Sequence, residues 1–98
     1  MKRTAEDSKW SRMIRERAKF TCQRCGHVHA ENSMGLHAAH VFSRSIKRTR
    51  HDPDNGVALC AACHWRAHAH PFEFHEWARK TLGPRIYDAL KLRAKRLK

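Results

Sequence analysis

The chain has 98 residues, and its 21 lysines and arginines outnumber its 9 aspartates and glutamates, which gives a formal net charge of +12 at pH 7. A chain this short holds one small domain, and such domains often need a metal or another cross-link to fold. The charge exceeds what solubility needs and predicts a polyanionic partner, with nucleic acid as the first candidate. The sequence has no apolar run long enough to span a membrane and no signal-peptide pattern, so we expect a cytoplasmic protein without a membrane partner.

The first predicted element is a helix over residues 7–19, where apolar residues recur at helical spacing. Asp7 or Ser8 is the expected N-cap. Trp10 and Met13 lie on the apolar side and are interpreted as core residues. Residues 1–6 carry charge without a pattern and are predicted to form a mobile tail.

Two C-x-x-C pairs follow, Cys22 with Cys25 and Cys60 with Cys63. Each pair can bring two thiolates onto one ion, so together they predict a tetrahedral structural zinc. Two disulfides or a redox pair are the alternatives, and a reducing compartment disfavours both. This zinc is expected to stabilise the fold and to take no part in chemistry.

Between the cysteine pairs the sequence predicts a β-hairpin. The segment 36–42 is short and mostly apolar, and the turn signal over 52–56 leads into a second short run, 57–59. Residues 43–51, between these strands, carry four cations and no acid, and they are expected to contact phosphate. The cations are Arg44, Lys47, Arg48 and Arg50.

A helix is predicted from Cys60, or just after it, as far as Pro71. His64 and His68 are four residues apart, so they share a helix face and can hold one ion. Because four cysteines already fill the zinc, these histidines predict a second, open metal site. His37 on the first strand is a third candidate ligand, and its alternative role is to support the ligands.

Residues 71–98 are predicted to form two more helices, one from Pro71 to Gly83 and one from Pro84 onward. The inner side of the first is assigned to Phe72, His75, Trp77, Ala78 and Leu82. The inner side of the second is assigned to Ile86, Tyr87, Leu90, Ala94 and Leu97. The outer side of the second helix is strongly basic, which suits both solubility and contact along a duplex.

The stretch from His37 to His68, with its CQRCG and LCAACH segments, resembles the HNH endonuclease family. The resemblance covers residues 20–82 and rests on His40 as the first histidine, Asn55 as the asparagine and His64 as the final histidine. It implies a single α+β domain with a ββα-metal core and zinc knuckles over 20–70, flanked by helices. Ala39 departs from the family pattern, which usually has an aspartate, histidine or glutamate ligand there.

The resemblance implies a metal-dependent DNA endonuclease that hydrolyses phosphodiester bonds by nicking or by double-strand cutting. His40 is the expected general base, Asn55 holds it in place, and His64 and His68 bind Mn²⁺, Ni²⁺, Zn²⁺ or Mg²⁺. The DNA is expected to be double-stranded and bound with little sequence specificity, and a phage packaging (terminase) complex is suggested as a partner.

Ala39 favours the alternative of a zinc-stapled DNA-binding module whose nuclease site has decayed. An RNA-binding zinc protein would need aromatic-rich strands that this chain lacks.

Overall fold

The computed structural model describes residues 3–95, which form an α+β fold around a two-stranded antiparallel sheet. The elements in chain order are α1 (Ala5–Arg17), β1 (Leu36–His40), β2 (Gly56–Cys60), α2 (Ala61–Ala69), α3 (Pro71–Leu82) and α4 (Pro84–Lys95). Within residues 3–95, none of the helices has the length and apolar character needed to cross a membrane.

Helix α1 begins at Ala5, so the predicted start at residue 7 is corrected. The Thr4 hydroxyl accepts a hydrogen bond from the Asp7 N–H at 3.1 Å, and the Asp7 carboxylate accepts one from the Thr4 N–H at 2.7 Å. This reciprocal capping box satisfies two N–H groups at the helix start. Residues 4–6, assigned from the sequence to a mobile tail, therefore form the cap and the first turn. Residues 1 and 2 of that tail lie outside the described residues.

Helix α1 also ends earlier than predicted, at Arg17 rather than at residue 19. Lys19 and Phe20 both have φ near 55°. This left-handed backbone cannot continue a right-handed helix, so the chain turns away after Ala18.

The hairpin pairs β1 with β2 from Leu36 opposite Cys60 to His40 opposite Gly56, and β1 stops at His40 rather than at residue 42. Alternate residues of a strand face opposite sides of the sheet, so His37 and Ala39 share one face while His40 and Gly56 share the other. Helix α1 packs on the His40 face and α2 on the His37 face, because Trp10 stacks on His40 and His64 contacts His37.

The core lies on both faces of this hairpin and under α3 and α4. In α3 the buried positions are Phe74 and Ala78, four residues apart, whereas Phe72 is 92% exposed and the prediction for it is wrong. In α4, Tyr87 and Leu90 are buried, and Ile86 is 42% exposed rather than inward. Leu97 lies outside the described residues.

Candidate active site and metal centres

The four cysteines meet at one point, where their ligand atoms all lie within 4.8 Å of one another. The Sγ atoms of Cys25 and Cys60 are 3.8 Å apart. Tetrahedral zinc with Zn–S bonds of about 2.3 Å separates its sulfur ligands by about 3.8 Å, so the cluster has the dimensions of a four-thiolate zinc site. The four cysteines are free, which is the state that a four-thiolate zinc site requires.

Local backbone geometry supports each pair of thiols. The Cys22 Sγ accepts a hydrogen bond from the Cys25 N–H, and the Cys60 Sγ, at the N-cap of α2, accepts one from the Cys63 N–H, both at 3.5 Å. Burial and the neighbouring Cys60 and Cys22 thiols raise the pKa of Cys63 to about 12. Burial also opposes ionisation of Cys22, but hydrogen bonds from backbone N–H groups lower its pKa to about 6. Cys22 thus ionises readily, whereas a bound cation would be needed to stabilise the thiolate of Cys63.

His40 is held by two contacts. Its ring stacks on the Trp10 indole with centroids 4.0 Å apart and planes inclined by 14°. Its Nε2 atom donates to the backbone carbonyl of Arg50 at 3.0 Å. A carbonyl oxygen only accepts, so Nε2 carries the proton and Nδ1 carries the lone pair. Burial lowers the pKa of His40 even though this hydrogen bond opposes the shift, so the ring is neutral at pH 7.

Asn55 joins the two ends of the loop that carries Arg50. The side chain is fully buried. Its Oδ1 accepts from the Phe42 N–H at 2.8 Å, and its Nδ2 donates to the Phe42 carbonyl at 3.1 Å and to the Thr49 carbonyl at 2.8 Å. Asn55 thereby fixes the segment whose next residue, Arg50, accepts the hydrogen bond from His40.

Asp7 of α1 fixes the same segment from the other side. Its carboxylate accepts from Arg50 Nε at 2.9 Å, from His51 Nε2 at 2.7 Å and from Arg44 at 3.4 Å. The hydrogen bond from Arg50 holds the pKa of Asp7 far below its usual range.

Arg50 is only 9% exposed, which differs from its predicted role as a phosphate contact. The side chains of Lys47 and Arg48 are exposed, and Arg44 is 40% exposed.

His64 lies between two other histidines. Its Nε2 is 3.3 Å from Nε2 of His68, and its Nδ1 is 2.8 Å from Nδ1 of His37. Burial, with the neighbouring His37 and His68, lowers the pKa of His64 to about 4, so this ring is neutral at pH 7. Nitrogen ligands about 2.0–2.1 Å from one tetrahedral ion lie roughly 3.3 Å apart, and the Nε2 pair has that spacing. His37 faces the opposite ring nitrogen, so these three side chains do not converge on one point.

One cleft of about 930 Å³ collects the predicted catalytic and metal-binding histidines, whereas the fully buried Asn55 does not line it. It follows β1, with α1 on one side and α2 and α3 on the other, and its lining includes His37, His40, His64 and His68. Ala39 also lines the cleft and is 2% exposed. The methyl group of Ala39 offers no ligand atom where the resemblance implies one.

Trp10 and Asp7 are the site residues that sequence reasoning missed. Helical periodicity placed Trp10 in the core, and it is 5% exposed, but the periodicity could not show that the ring supports His40. Trp10 Nε1 also donates to the Asp52 carbonyl at 2.9 Å, a contact across 42 positions of the chain. For Asp7, the spacing Thr4-x-x-Asp7 is a capping signal that could have been found.

A family model described as HNH endonuclease matches residues 22–70, half of the chain. The matched range contains both cysteine pairs together with His40, Asn55, His64 and His68. No curated protein and no solved structure matches the chain.

Proposed function

Because the chain belongs to the HNH endonuclease family, we propose that it is a metal-dependent endonuclease that hydrolyses phosphodiester bonds in DNA. The observation that carries this proposal is the state of His40, a neutral ring with an available Nδ1 in the cleft that also holds His64 and His68. The net charge of +12 supports a polyanionic substrate. We propose double-stranded DNA, bound with little sequence specificity, because contacts to the phosphate backbone carry no base information.

His40 acts as the general base. Its Nδ1 takes a proton from a water molecule, whose oxygen attacks phosphorus in line as the bond to the 3′-oxygen breaks. The departing 3′-oxygen takes a proton from solvent and becomes a hydroxyl. The hydrogen bond from Nε2 to the Arg50 carbonyl keeps the ring in the required tautomer and stabilises the imidazolium that forms. The products carry 5′-phosphate and 3′-hydroxyl ends, as the family resemblance implies.

His64 and His68 would hold the catalytic metal through their Nε2 atoms. A divalent ion there would supply positive charge that stabilises the phosphate oxygen and the departing 3′-oxygen. The Nδ1–H of His64 donates a hydrogen bond to the Nδ1 of His37, and this contact fixes the ring angle of the ligand. Such a partner is common around metal-binding histidines. Neutral nitrogen ligands, with alanine at position 39, favour Mn²⁺, Ni²⁺ or Zn²⁺ over Mg²⁺.

The second candidate is a DNA-binding module with a decayed nuclease site, and Ala39 is the observation that favours it. Its methyl group is buried at the edge of the cleft, so position 39 cannot contribute to a metal. Binding alone, however, gives no reason for a neutral His40 to share one cleft with a pair of imidazoles spaced to hold a metal. Association with a packaging complex stays a prediction from the resemblance.

The test is cleavage of supercoiled plasmid by zinc-loaded protein in EDTA, Mg²⁺, Mn²⁺, Ni²⁺ and Zn²⁺, with a structured RNA as the control substrate. We expect nicked or linear DNA with the transition metals, little product in Mg²⁺, none in EDTA, and intact RNA. DNA binding without cleavage in any metal would select the decayed module. Metal-dependent cleavage of the RNA in preference to DNA would contradict the proposed substrate.

A further inference from the structure

We infer that helix α1 forms one wall of the DNA-binding cleft, and that Arg15, with Arg3 beside the helix start, binds backbone phosphates that flank the cleavage site. This inference deepens the proposed function and rests on it. The sequence assigned phosphate contact to the loop over 43–51 and to the last helix, whereas the cleft beside the candidate base is also lined by Arg3 and Arg15.

The floor of the cleft is the open edge of β1. The Val41 N–H donates to the Asn55 carbonyl and the Ala61 N–H to the Gly35 carbonyl, at 3.2 and 3.1 Å. In an antiparallel pair such bonds recur at every second residue, so the backbones of Leu36, Ala38 and His40 point away from β2. All three residues line the cleft, so the backbone N–H and carbonyl groups of this edge face it.

The corresponding edge of β2 is covered by the protein itself. The Ala58 N–H and carbonyl are both bonded to Gln23, at 2.8 Å each. The Gly56 carbonyl accepts from Arg17 at 3.2 Å. The two edges of this small sheet thus differ: one is closed by side chains, and the other opens into a cleft that carries the candidate base.

The arginines around the cleft divide into two kinds. Arg12 is bound to Glu31 at 3.2 Å and Arg44 to Asp7 at 3.4 Å, so carboxylates offset their charges. Arg3 donates to the Ser8 hydroxyl at 3.2 Å, and Arg15 donates to the Ser11 carbonyl at 3.3 Å. Within residues 3–95 neither of these two cations forms an ion pair with a carboxylate. Their positive charge is therefore the charge that a phosphate can neutralise.

The position of Arg15 along α1 favours the same conclusion. Ser11 and Arg15 are four residues apart, share a helix face and both line the cleft. The preceding residue, Trp10, stacks on His40. A DNA strand with a phosphate at His40 and His64 therefore has the Arg15 face of α1 along one side.

The test is the salt dependence of binding to a fluorescent duplex, measured for zinc-loaded protein without added divalent metal. Each lost phosphate contact lowers the slope of log Kd against log salt concentration by about 0.9. We expect that decrease for Arg15→Gln, about twice that decrease for Arg3→Gln/Arg15→Gln, and a nearly normal slope for Arg15→Lys, which keeps the charge. The matched control is Lys9→Gln, since Lys9 is exposed on the same helix but lies outside the cleft.

Zinc content and circular dichroism establish that each variant is folded before its slope is compared. Unchanged slopes for Arg15→Gln and for Arg3→Gln/Arg15→Gln, in a protein that still cleaves plasmid, would overturn the assignment of α1 as a wall of the DNA-binding cleft. The proposed function would then still stand. An equal decrease for Lys9→Gln would also overturn it, because the effect would then be general charge. A wild-type protein that neither binds nor cleaves DNA would reject the proposed function first, and this inference with it.

Discussion

Trp10 is the residue whose role depends most on tertiary structure, because its indole supports the ring of His40. We predict that Trp10→Ala lowers kcat by roughly 100-fold with little change in KM, since a misplaced base costs rate and not substrate affinity. Trp10→Phe keeps an aromatic surface but loses the hydrogen bond to Asp52, so it should retain much more activity. Steady-state kinetics at a temperature where both variants are folded measure the difference. Equal kcat values for Trp10→Ala and wild type would show that the stack is only packing.

The pH dependence of cleavage reports on His40. Burial lowers its pKa from the ordinary value of 6.5, so the neutral, active form persists into more acidic solution than it would for an exposed histidine. We predict that the single-turnover rate rises with pH through a midpoint below 6.5 and is level above it. Trp10→Ala exposes the ring and should move that midpoint upward, toward the ordinary value. A midpoint well above 6.5 in the wild-type protein would contradict the assignment.

At the scale of elements, α1 reaches the hairpin closely only because position 56 is glycine. A Cβ atom there would lie 2.6 Å from both the Trp10 ring and the Ile14 side chain. We predict that Gly56→Ala displaces α1 from the sheet, lowering Tm and, through Trp10, lowering kcat. Thermal melts and kinetics measure both effects.

The control for that prediction is Gly35→Ala, just before the other end of the hairpin. The nearest atom to a Cβ at Gly35 is 3.4 Å away, on the Ser33 side chain, which can move. A Gly56→Ala protein as stable and active as Gly35→Ala would show that α1 tolerates a looser contact with the sheet.

Local patterns were enough to predict most elements. The turn before Gly56 and the apolar runs on either side of it predict the hairpin, which the structure contains. Proline at positions 71 and 84 predicts the starts of α3 and α4, which begin at those residues. The prediction that Phe72 faces inward was wrong. Helix α3 begins at Pro71, and an apolar residue in the first turn of a helix can lie on its outer side. The predicted start of α1 was wrong because Asp7 was taken as the N-cap. Thr4 is the N-cap, and Asp7 is the third helical residue.

Contacts between distant segments could not be predicted in the same way. Arg50 lies in the stretch 43–51, which has no acid and so favoured phosphate contact, but its partner Asp7 is 43 positions away. The same limit applies to Trp10 and His40, which stack across 30 positions. The resemblance to a known family predicted which residues belong to the site. The family itself is confirmed by the match over residues 22–70. The supports of His40 became visible only in the folded chain.

At the scale of the whole molecule, the four-cysteine cluster joins the segment after α1 to the junction of β2 and α2. In small domains of this kind the free energy of metal binding is largely the free energy of folding. We predict that Cys22→Ser, or a strong chelator, abolishes cooperative thermal unfolding together with nuclease activity. Native mass spectrometry should find one tightly bound zinc in the wild-type protein. A chain that melts cooperatively in chelator would contradict this role.

The most direct measurement of the central claim compares His40→Ala with His75→Gln in plasmid cleavage. Both residues line the cleft, but His75 bonds to the Tyr87 hydroxyl at 2.9 Å and has no assigned part in the chemistry. We expect His40→Ala to lose roughly 10²–10⁴-fold in rate, as loss of a general base does, while zinc content and DNA affinity stay near wild type. His75→Gln should keep most of the activity. If His40→Ala cleaves within a few-fold of the wild-type rate, His40 is not the base and the account of this site is wrong.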